Sequence, residues 1–415
     1  MDLSLVIHAD HLLRGDEAPV RDGALVLDSD ARVVEVGPAV DVVPRHAGAT
    51  VERVRGVVFP GLVNAHTHLE LSALRGQVPG GHGFVAWVER LIGARTELLD
   101  EDTEAAIAAG VDALLAAGTV AVGEVTNGLG AVGALARAGL QGCVFHEVFG
   151  LDRDAVLRRL AGLADDVRAR AALWGTDGGA LPGGLAYAPA PHTLYTTHPD
   201  AVRAILASAR ERGARTSLHL AEHASERSAI ERGEGPVVPW LRERARVTRA
   251  WPCAPLFEHA QDLGALSPDV LLVHLADARP PELERVRAAG APVVLCPRSN
   301  LHIDVRLPPL VAMREAGLEP ALGTDSLASS PSLDVLAEAK ALRDRFSSVP
   351  AWELVRMATW GGARALGLPD LGRFAPGARP GVFAVEGDAA ASAPDGAAYL
   401  LSNLGAPRRR IRGAS

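Results

Sequence analysis

The stretch Phe59-Pro-Gly-Leu-Val-Asn-Ala-His-Thr-His68 decides which fold the sequence predicts. It completes an apolar run, Val57–Ala65, that ends in two histidines separated by one residue. In an extended strand the side chains at positions i and i+2 point the same way, so both imidazoles can reach one ion. On its own, such a pair is equally consistent with a surface pair. The stretch predicts a buried strand with a candidate metal site, His66 and His68, at its carboxyl end.

Further apolar runs follow along the chain and alternate with Ala-, Arg- and Glu-rich stretches that are typical of helices. These runs are Thr119–Val125, Gly142–Phe149, Gly184–Ala190, Thr216–Ala221, Val270–Leu275, Pro292–Cys296 and Glu319–Gly323. Buried strands separated by helices indicate a parallel sheet, and eight such strands close into a barrel. The predicted fold class is α/β, with a (β/α)8 TIM barrel over residues 57–369.

Both chain ends differ from this alternating pattern. Leu3–Ala9, Ala24–Leu27 and Val33–Val36 read as short strands, and Pro376–Val385 reads as another after a Pro- and Gly-rich linker. We therefore expect residues 1–56 and 370–415 to form one small composite β-domain, a β-sandwich, beside the barrel.

Charge and hydropathy exclude several classes of protein. The net charge of −8 lacks the basic footprint of a nucleic-acid-binding protein. The sequence contains no apolar run of about 18 residues or more, so we expect no membrane span. The first ten residues lack the basic start and apolar block of a signal peptide. The expected protein acts in the cytoplasm on a small molecule, with no nucleic-acid or membrane partner.

The counts of lysine and cysteine narrow the chemistry. Lys340 is the single lysine among 42 basic residues, and it lies in a helix-like stretch. A carboxylated lysine between two metals, or a Schiff-base mechanism, is therefore not expected. The widely spaced Cys143, Cys253 and Cys296 predict no disulfide framework.

Polar residues that suit metal chemistry follow three other predicted strands. His219 and Glu222 end the fifth strand, His274 the sixth and Asp325 the eighth. A lone histidine at a strand end is more often structural, but the carboxyl ends of barrel strands are where active sites are built. Neutral imidazoles with one carboxylate suit zinc or a similar divalent ion.

These motifs resemble the amidohydrolase superfamily. The Phe59–His68 stretch is similar to its strand-one signature, and the segments His219–Glu222 and Gly323–Ser326, with His274, resemble its deaminase and chlorohydrolase branch. The resemblance covers nearly the whole chain and implies one divalent ion, Zn²⁺ with Fe²⁺ as the alternative. The ligands that it implies are His66, His68, His219 and Asp325.

Three residues then carry the expected mechanism. The ion lowers the pKa of a bound water, and Asp325 accepts the proton. Glu222 lies three residues beyond His219 and is the candidate proton shuttle to a ring nitrogen; the alternative is a structural partner of His223 or an arginine. His274 can stabilise the developing oxyanion.

Five further residues are candidates for substrate contacts. His192, in Pro191-His-Thr-Leu-Tyr195, resembles a substrate-contacting family motif, although a turn residue is the alternative. Trp87 corresponds to a pocket tryptophan or a core residue. Arg298 suits a substrate carboxylate or a rim salt bridge. Glu147 is a substrate contact, an ion-pair residue or, as in some relatives, a bridge between two metals. Ser326 follows the metal-site aspartate.

The residues of the segments His66–Ser72 and Leu322–Ser329 are similar to those of aminodeoxyfutalosine deaminases. These enzymes act in menaquinone biosynthesis by the futalosine pathway. That substrate carries a benzoate, which gives Arg298 a partner. Leu295 departs from the family pattern, where many relatives have histidine. The alternatives are deamination of S-adenosylhomocysteine or methylthioadenosine, adenosine, guanine or a triazine, and an inactive barrel that acts as a binding protein. The family also suggests a homodimer.

Overall fold

The computed structural model describes residues 5–177, 180–245 and 252–412. Leu3 and Ser4, where the first predicted strand begins, lie outside the described residues. The strands are β1 (Leu5–Leu12), β2 (Val20–Leu27), β3 (Val33–Pro38), β4 (Thr50–Pro60), β5 (Leu62–Thr67), β6 (Thr119–Thr126), β7 (Gln141–Val148), β8 (Ala186–Pro191), β9 (Thr216–Leu220), β10 (Val270–His274), β11 (Val293–Leu295), β12 (Ala321–Leu322), β13 (Val382–Glu386) and β14 (Arg409–Arg412).

Helices separate most of the strands after β5. They are α1 (Ala39–Arg45), α2 (Phe84–Thr96), α3 (Asp100–Ala116), α4 (Val132–Arg137), α5 (Arg153–Trp174), α6 (Pro199–Glu211), α7 (Ala224–Arg232), α8 (Val237–Ala245), α9 (Leu256–Asp262), α10 (Pro280–Ala289), α11 (Pro297–Asp304), α12 (Leu310–Glu315), α13 (Val335–Arg345), α14 (Ala351–Arg356), α15 (Gly362–Leu366), α16 (Asp388–Ala391) and α17 (Gly396–Ser402). Leu69–Leu74 and Pro182–Gly184 form 3₁₀ turns, and Met357–Gly361 a π-helical turn. Among the described residues, none of the helices combines the length and apolar character needed to cross a membrane.

Strands from both chain ends pair in one six-stranded sheet. Its order is β14-β13-β4-β1-β2-β3. The pairing of β1 with β4 is parallel, and that of β4 with β13 is antiparallel. Ile7, Leu25, Val58 and Phe374 belong to its buried apolar cluster. The second sheet that would make this domain a sandwich stays a prediction.

The remaining strands form two four-stranded sheets, β5-β6-β7-β8 and β12-β11-β10-β9. Parallel pairing joins β7 to β8 and links β9 through β12. Where β8 lies beside β9, the Thr216 hydroxyl donates to the Pro189 carbonyl at 2.7 Å. Where β5 lies beside β12, Thr67 and Asp325 form an isolated parallel bridge. Both edges of one sheet are therefore linked to edges of the other.

The predicted apolar runs after the first become strands with small changes at their ends. The first run, Val57–Ala65, is wrong as a single strand because it spans the end of β4 and most of β5. The break falls at Gly61, whose N–H donates to the Pro380 carbonyl at 3.1 Å. A Cβ there would lie 2.5 Å from the Val120 side chain, so the close approach requires glycine. The first strand of the β5-β6-β7-β8 sheet therefore begins at Leu62.

The chain divides into two compact units. One consists of the described residues of Met1–Ala65, Ala113–Ala121 and Asp334–Ser415, and the other of those of His66–Asp112 and Val122–Leu333. The residues predicted to carry the chemistry, from His66 to Ser326, lie in the second unit.

Helix α5 in this second unit has a capping residue at each end. The Asp152 side chain caps its first turn by accepting from the Ala155 N–H at 2.8 Å. Gly175 ends it in the left-handed conformation, with φ of 70°. Val156 and Leu163 on its buried face pack with Ile205 of α6, so that its apolar stripe covers the sheet side of the unit.

Candidate active site

The carboxyl ends of β5, β9, β10 and β12 bring the predicted metal-site residues together. His66 lies in β5, and His68 follows it by two residues; His219 lies in β9 and His274 ends β10. Asp325 follows β12. Gly323 makes this possible, because a Cβ there would come within 2.6 Å of the His66 Cβ. The Asp325 N–H consequently donates to the His66 carbonyl at 3.1 Å.

The predicted metal ligands converge on one point. The Nε2 atoms of His66 and His68 lie 3.1 Å apart. Asp325 Oδ1 lies 3.6 Å from His68 Nε2 and 4.0 Å from His66 Nε2. One ligand nitrogen from each of His66, His68 and His219 lies within 4.8 Å of the others. These separations fit donors that share one small cation.

The protonation of these rings also fits a metal site. Burial, followed by the neighbouring imidazoles, lowers the pKa of His66 well below its ordinary value. Burial likewise lowers the pKa of His68 and of His219. His219 Nδ1 lies 3.0 Å from the His192 carbonyl, so Nδ1 carries the proton and Nε2 keeps its lone pair. Neutral imidazoles with free lone pairs are the form that binds a divalent ion.

Two serine hydroxyls hold the Asp325 carboxylate. Ser299 and Ser329 donate to its Oδ2 at 2.6 and 3.1 Å, which leaves Oδ1 toward the histidines. Burial alone raises the pKa of Asp325, but the His68 and His274 rings and the Ser299 hydroxyl outweigh it and lower the pKa below its ordinary value. The carboxylate is therefore ionised at neutral pH.

Backbone strain concentrates at the ends of the same strands. Ala221, His274, Leu275 and Asp325 have φ values of 50°, 80°, 49° and 56°. A left-handed backbone is unfavourable for residues other than glycine, and such residues cluster at sites where side-chain direction matters. The strain turns His274 and Asp325 away from the regular strand direction at the rim.

Glu222 stands opposite this group as a buried carboxyl. Its Oε1 lies 3.6 Å from His274 Nε2. Burial, and then the Asp325 carboxylate, raise the pKa of Glu222 well above its ordinary value, which favours the protonated form. His223 Nδ1 accepts from the Glu226 N–H at 3.1 Å, and its Nε2 lies 3.2 Å from the Tyr195 hydroxyl. Because both nitrogens of His223 have these partners, the geometry gives no support to a pairing of Glu222 with His223.

Asn300 fixes the direction of His274. Its amide nitrogen lies 3.3 Å from His274 Nδ1. An amide nitrogen can only donate, so Nδ1 accepts and the ring proton sits on Nε2. Burial lowers the pKa of His274 to about 3. The neutral ring therefore presents an N–H donor on the side of Glu222.

Glu147 and His192 adjoin the histidine cluster. Ligand atoms of Glu147, His192 and His219 lie within 4.8 Å of one another, which makes a second group able to hold a cation. Glu147 Oε2 accepts from Asn127 Nδ2 at 3.2 Å, whereas its buried Oε1 has no hydrogen-bond partner among the described residues. Burial raises the pKa of Glu147, but His192, His219 and His68 outweigh it and lower the pKa. This ionised oxygen is free to accept from a ligand or bind a cation.

A cavity of about 450 Å³ opens onto these groups. Its lining includes most of the predicted site residues, namely His68, Trp87, Glu147, His192, His219, Glu222, His274, Asp325 and Ser326. His66 lies beneath it, fully buried. Arg298 is outside this lining, and its Nη1 donates to the Ser332 hydroxyl at 2.9 Å. The geometry therefore does not support the predicted contact of Arg298 with the substrate.

Several lining residues were not predicted from the sequence. Phe149 is 56% exposed, and its ring centre lies 5.8 Å from that of His192. Arg95 comes from helix α2, and Trp240 and Arg244 come from helix α8. The sequence signal for Phe149 is its place at the end of the predicted strand Gly142–Phe149, whereas the three residues in helices have none.

Comparison with known proteins shows the family of the chain. The model of the amidohydrolase family matches residues 57–400. The 5-methylthioadenosine/S-adenosylhomocysteine deaminase of Halobacterium salinarum is 34% identical over 387 residues, covering 89% of this chain and 81% of that protein. The aminodeoxyfutalosine deaminase of Deinococcus radiodurans is 32% identical over 329 residues, covering 77% and 75%.

A solved structure shows the same fold. The aminofutalosine deaminase of Helicobacter pylori, in complex with methylthio-coformycin, superposes with a TM-score of 0.84 at 23% identity and covers 97% of each chain. The resemblance that the strand-end motifs indicated is thus confirmed by the family match and by relatives above 30% identity. The chain belongs to the amidohydrolase family.

Proposed function

We propose that this protein hydrolytically deaminates an adenine-type nucleoside, with 6-amino-6-deoxyfutalosine as the preferred substrate. The observation that carries the proposal is that two carboxyl groups with opposite pKa shifts, Glu222 raised and Asp325 lowered, line one cavity. Deamination of adenine needs a proton donor for the ring and a proton acceptor for the attacking water. The relative from Deinococcus radiodurans, named aminodeoxyfutalosine deaminase, supports the choice of substrate.

The proposed architecture is a closed (β/α)8 barrel over residues 57–369. The links between β8 and β9 and between β5 and β12 support closure. Residues 1–56 and 370–415 form the proposed composite β-domain, for which the six-stranded sheet is the support. A homodimer and a cytoplasmic location stay predictions.

The proposed metal ligands are His66, His68, His219 and Asp325, with zinc favoured by three imidazole nitrogens and one carboxylate. When bound there, a divalent ion lowers the pKa of a water molecule toward neutrality and prepares it as a nucleophile. The protein's own part is to supply three neutral rings and one ionised carboxylate, which their pKa shifts provide.

Three side chains then move or hold protons. Asp325 Oδ1 accepts a proton from the attacking water while Ser299 and Ser329 hold its other oxygen. Glu222 donates its proton to the ring nitrogen beside the reacting carbon, which makes the ring a better electrophile. The Nε2–H of His274 donates to the oxygen as it adds to that carbon. The proton held by Asp325 then passes to the exocyclic amine, which leaves as ammonia, while the hydroxyl proton returns to Glu222 as the carbonyl forms.

Aromatic and apolar side chains are proposed to hold the adenine ring. Phe149 and Trp87 line the cavity together with Phe84, Val88 and Leu91. Planar rings pack well against such walls, at about 0.5–1.5 kcal/mol for an aromatic pair beyond area burial. His192, Ser326 and the unpaired Oε1 of Glu147 supply polar groups for the nucleoside, as expected of a mostly apolar pocket with a few placed polar atoms.

Deamination of 5-methylthioadenosine or S-adenosylhomocysteine is the second candidate function. Its support is the relative from Halobacterium salinarum, which is named for these substrates and is 34% identical. Both candidates use the same reacting base, so the cavity chemistry above applies to either. They differ in the substituent on the ribose.

A deamination screen tests the proposed function. We expect wild-type protein to release ammonia from 6-amino-6-deoxyfutalosine, with the absorbance change from adenine to hypoxanthine. The value of kcat/KM should exceed those for adenosine, methylthioadenosine and S-adenosylhomocysteine. A preference for S-adenosylhomocysteine would favour the second candidate, and activity on guanine or a triazine alone would contradict both.

Metal analysis gives a separate prediction. We expect about one zinc-like ion per purified chain, as four donors in one cluster imply. Removing it with a chelator should abolish turnover and lower the melting temperature, because an ion bound to the folded state stabilises it. Elemental analysis, with turnover before and after zinc is restored, checks this. Full activity of metal-free protein would refute the metal site, and two ions per chain would add the Glu147–His192–His219 group.

A further inference from the structure

Two arginines without acidic partners lie in the wall of the cavity. Arg95 comes from α2 and Arg244 from α8. Arg95 Nη1 lies 3.5 Å from Asn127 Oδ1, and the Arg244 guanidinium carbon lies 5.7 Å from the centre of the Trp240 ring. Within the part of the chain that the structure describes, neither forms an ion pair with a carboxylate. Both guanidinium groups are therefore open to an anionic ligand.

The acidic groups of the same wall are already engaged. The Glu70 carboxylate accepts from the backbone N–H groups of Asn127, Gly128 and Gly130. Glu147, Glu222 and Asp325 face the histidine cluster. None of these four carboxylates forms an ion pair with Arg95 or Arg244 among the described residues, so the two guanidinium charges have no ion-pair partner in the wall.

Arg95 does not contact the histidine cluster directly. Its partner Asn127 donates to Glu147 Oε2 at 3.2 Å, and Glu147 Oε1 lies 3.7 Å from His219 Nδ1. Two side chains therefore separate Arg95 from the histidine cluster. Arg95 and Arg244 are exposed, whereas His219 is buried, so the arginines lie toward the solvent end of the cavity.

Trp240 adds an aromatic surface beside Arg244. Its indole ring lines the cavity, and its buried Nε1–H has no acceptor among the described residues. An indole with a guanidinium beside it suits a flat group that carries a negative charge, because the ring packs on the indole and the charge meets the donors.

We propose that Arg95 and Arg244 bind a carboxylate at the end of the substrate remote from the adenine, with Trp240 packed against the aryl group that carries it. This inference rests on the proposed function, and it assigns to the two arginines the selection of nucleosides that carry a carboxylate. Guanidinium groups recognise carboxylates with two parallel hydrogen bonds. The lining carboxylate oxygen without a hydrogen-bond partner, Glu147 Oε1, faces His219 at 3.7 Å. An ammonium group at the arginine end would instead meet two cations, so an aryl carboxylate is preferred over the amino-acid end of S-adenosylhomocysteine.

The test compares 6-amino-6-deoxyfutalosine with its carboxamide analogue, which has the same shape without the charge. The measured quantity is the ratio of kcat/KM for carboxylate over carboxamide. Arg95→Met and Arg244→Met should each lower this ratio by about 10-fold, the lower end for charge-assisted hydrogen bonds because both arginines are exposed. Arg244→Glu should lower it further by repulsion.

Arg90→Met and Arg242→Met are the matched controls. They remove arginines from the same two helices, and neither residue lines the cavity. Both should keep the wild-type ratio. Arg95→Lys and Arg244→Lys keep the charge but lose the planar fork, so they should restore part of the ratio lost in the Met variants.

Calorimetric dissociation constants for the same pair of compounds separate this inference from the proposed function. A carboxylate preference in binding that falls in Arg95→Met and Arg244→Met supports the inference, even where no ammonia is released. Absence of ammonia would then contradict the proposed function alone. Equal binding of the two compounds by wild type, or an unchanged ratio in both Met variants, would overturn the carboxylate site while leaving the deaminase proposal standing.

Discussion

Replacing Glu222 with Gln is expected to lower turnover by roughly 10²- to 10⁴-fold, the usual contribution of general acid–base catalysis. Burial and the Asp325 carboxylate raise the pKa of Glu222, which favours the protonated form that can donate to the substrate ring. Gln keeps the size and hydrogen bonding of the side chain but has no proton to give. Metal content and substrate affinity should stay near wild type, because Glu222 is not among the proposed ligands. Steady-state kcat, elemental analysis and calorimetric binding check the three expectations.

Glu231→Gln is the control for this variant. Glu231 lies in α7, pairs with Arg227 and does not line the cavity, so its loss should leave kcat near wild type. A fall in kcat with an unchanged dissociation constant for the substrate would identify Glu222 as acting in the chemical step. Wild-type kcat in Glu222→Gln would remove it from the mechanism.

The residues that the sequence could place are those that end strands. His66, His68, His219 and Asp325 stand at fixed offsets from apolar runs, and parallel strands bring their carboxyl ends to one rim. Local pattern therefore predicts that these side chains meet. It also predicted the alternation of strands and helices, apart from the break at Gly61, which depends on the approach of the distant Pro380.

The residues that hydrogen-bond to these site residues could not be predicted from the sequence in the same way. Ser299 and Ser329 hold the Asp325 carboxylate, and Asn300 sets the ring of His274. Their positions follow from how α11 and the loop after β12 approach the rim, which no local periodicity encodes. Serine and asparagine at such positions look like ordinary turn or cap residues.

The sequence also could not show which arginines line the cavity. Arg298 was singled out because it follows a predicted strand, yet its guanidinium bonds to Ser332 outside the cavity lining. Arg95 and Arg244 lie within helices α2 and α8, where a charged residue ordinarily reads as part of a solvated face. Only the packing of those helices around the cavity distinguishes them.

Replacing Asp325 is expected to affect both the metal and the chemistry. Asp325→Ala removes a proposed ligand and the proton acceptor, and it leaves the Ser299 and Ser329 hydroxyls without their acceptor. It also places alanine at φ of 56°, a left-handed backbone that aspartate tolerates better because its short polar side chain can hydrogen-bond locally. We expect less metal per chain, a lower melting temperature and turnover reduced by roughly 10²- to 10⁴-fold.

Asp325→Asn separates these effects. Asparagine tolerates the left-handed backbone better than alanine and keeps an oxygen for the two serines, but it cannot accept the proton of the attacking water. The melting temperature should therefore stay closer to wild type than in Asp325→Ala, while turnover falls by a similar factor, roughly 10²- to 10⁴-fold. Calorimetric melting, elemental analysis and kcat on the same preparations measure the three quantities. Turnover in Asp325→Asn within a few-fold of wild type would show that the proton goes elsewhere, and Glu222 or His274 would then have to accept it.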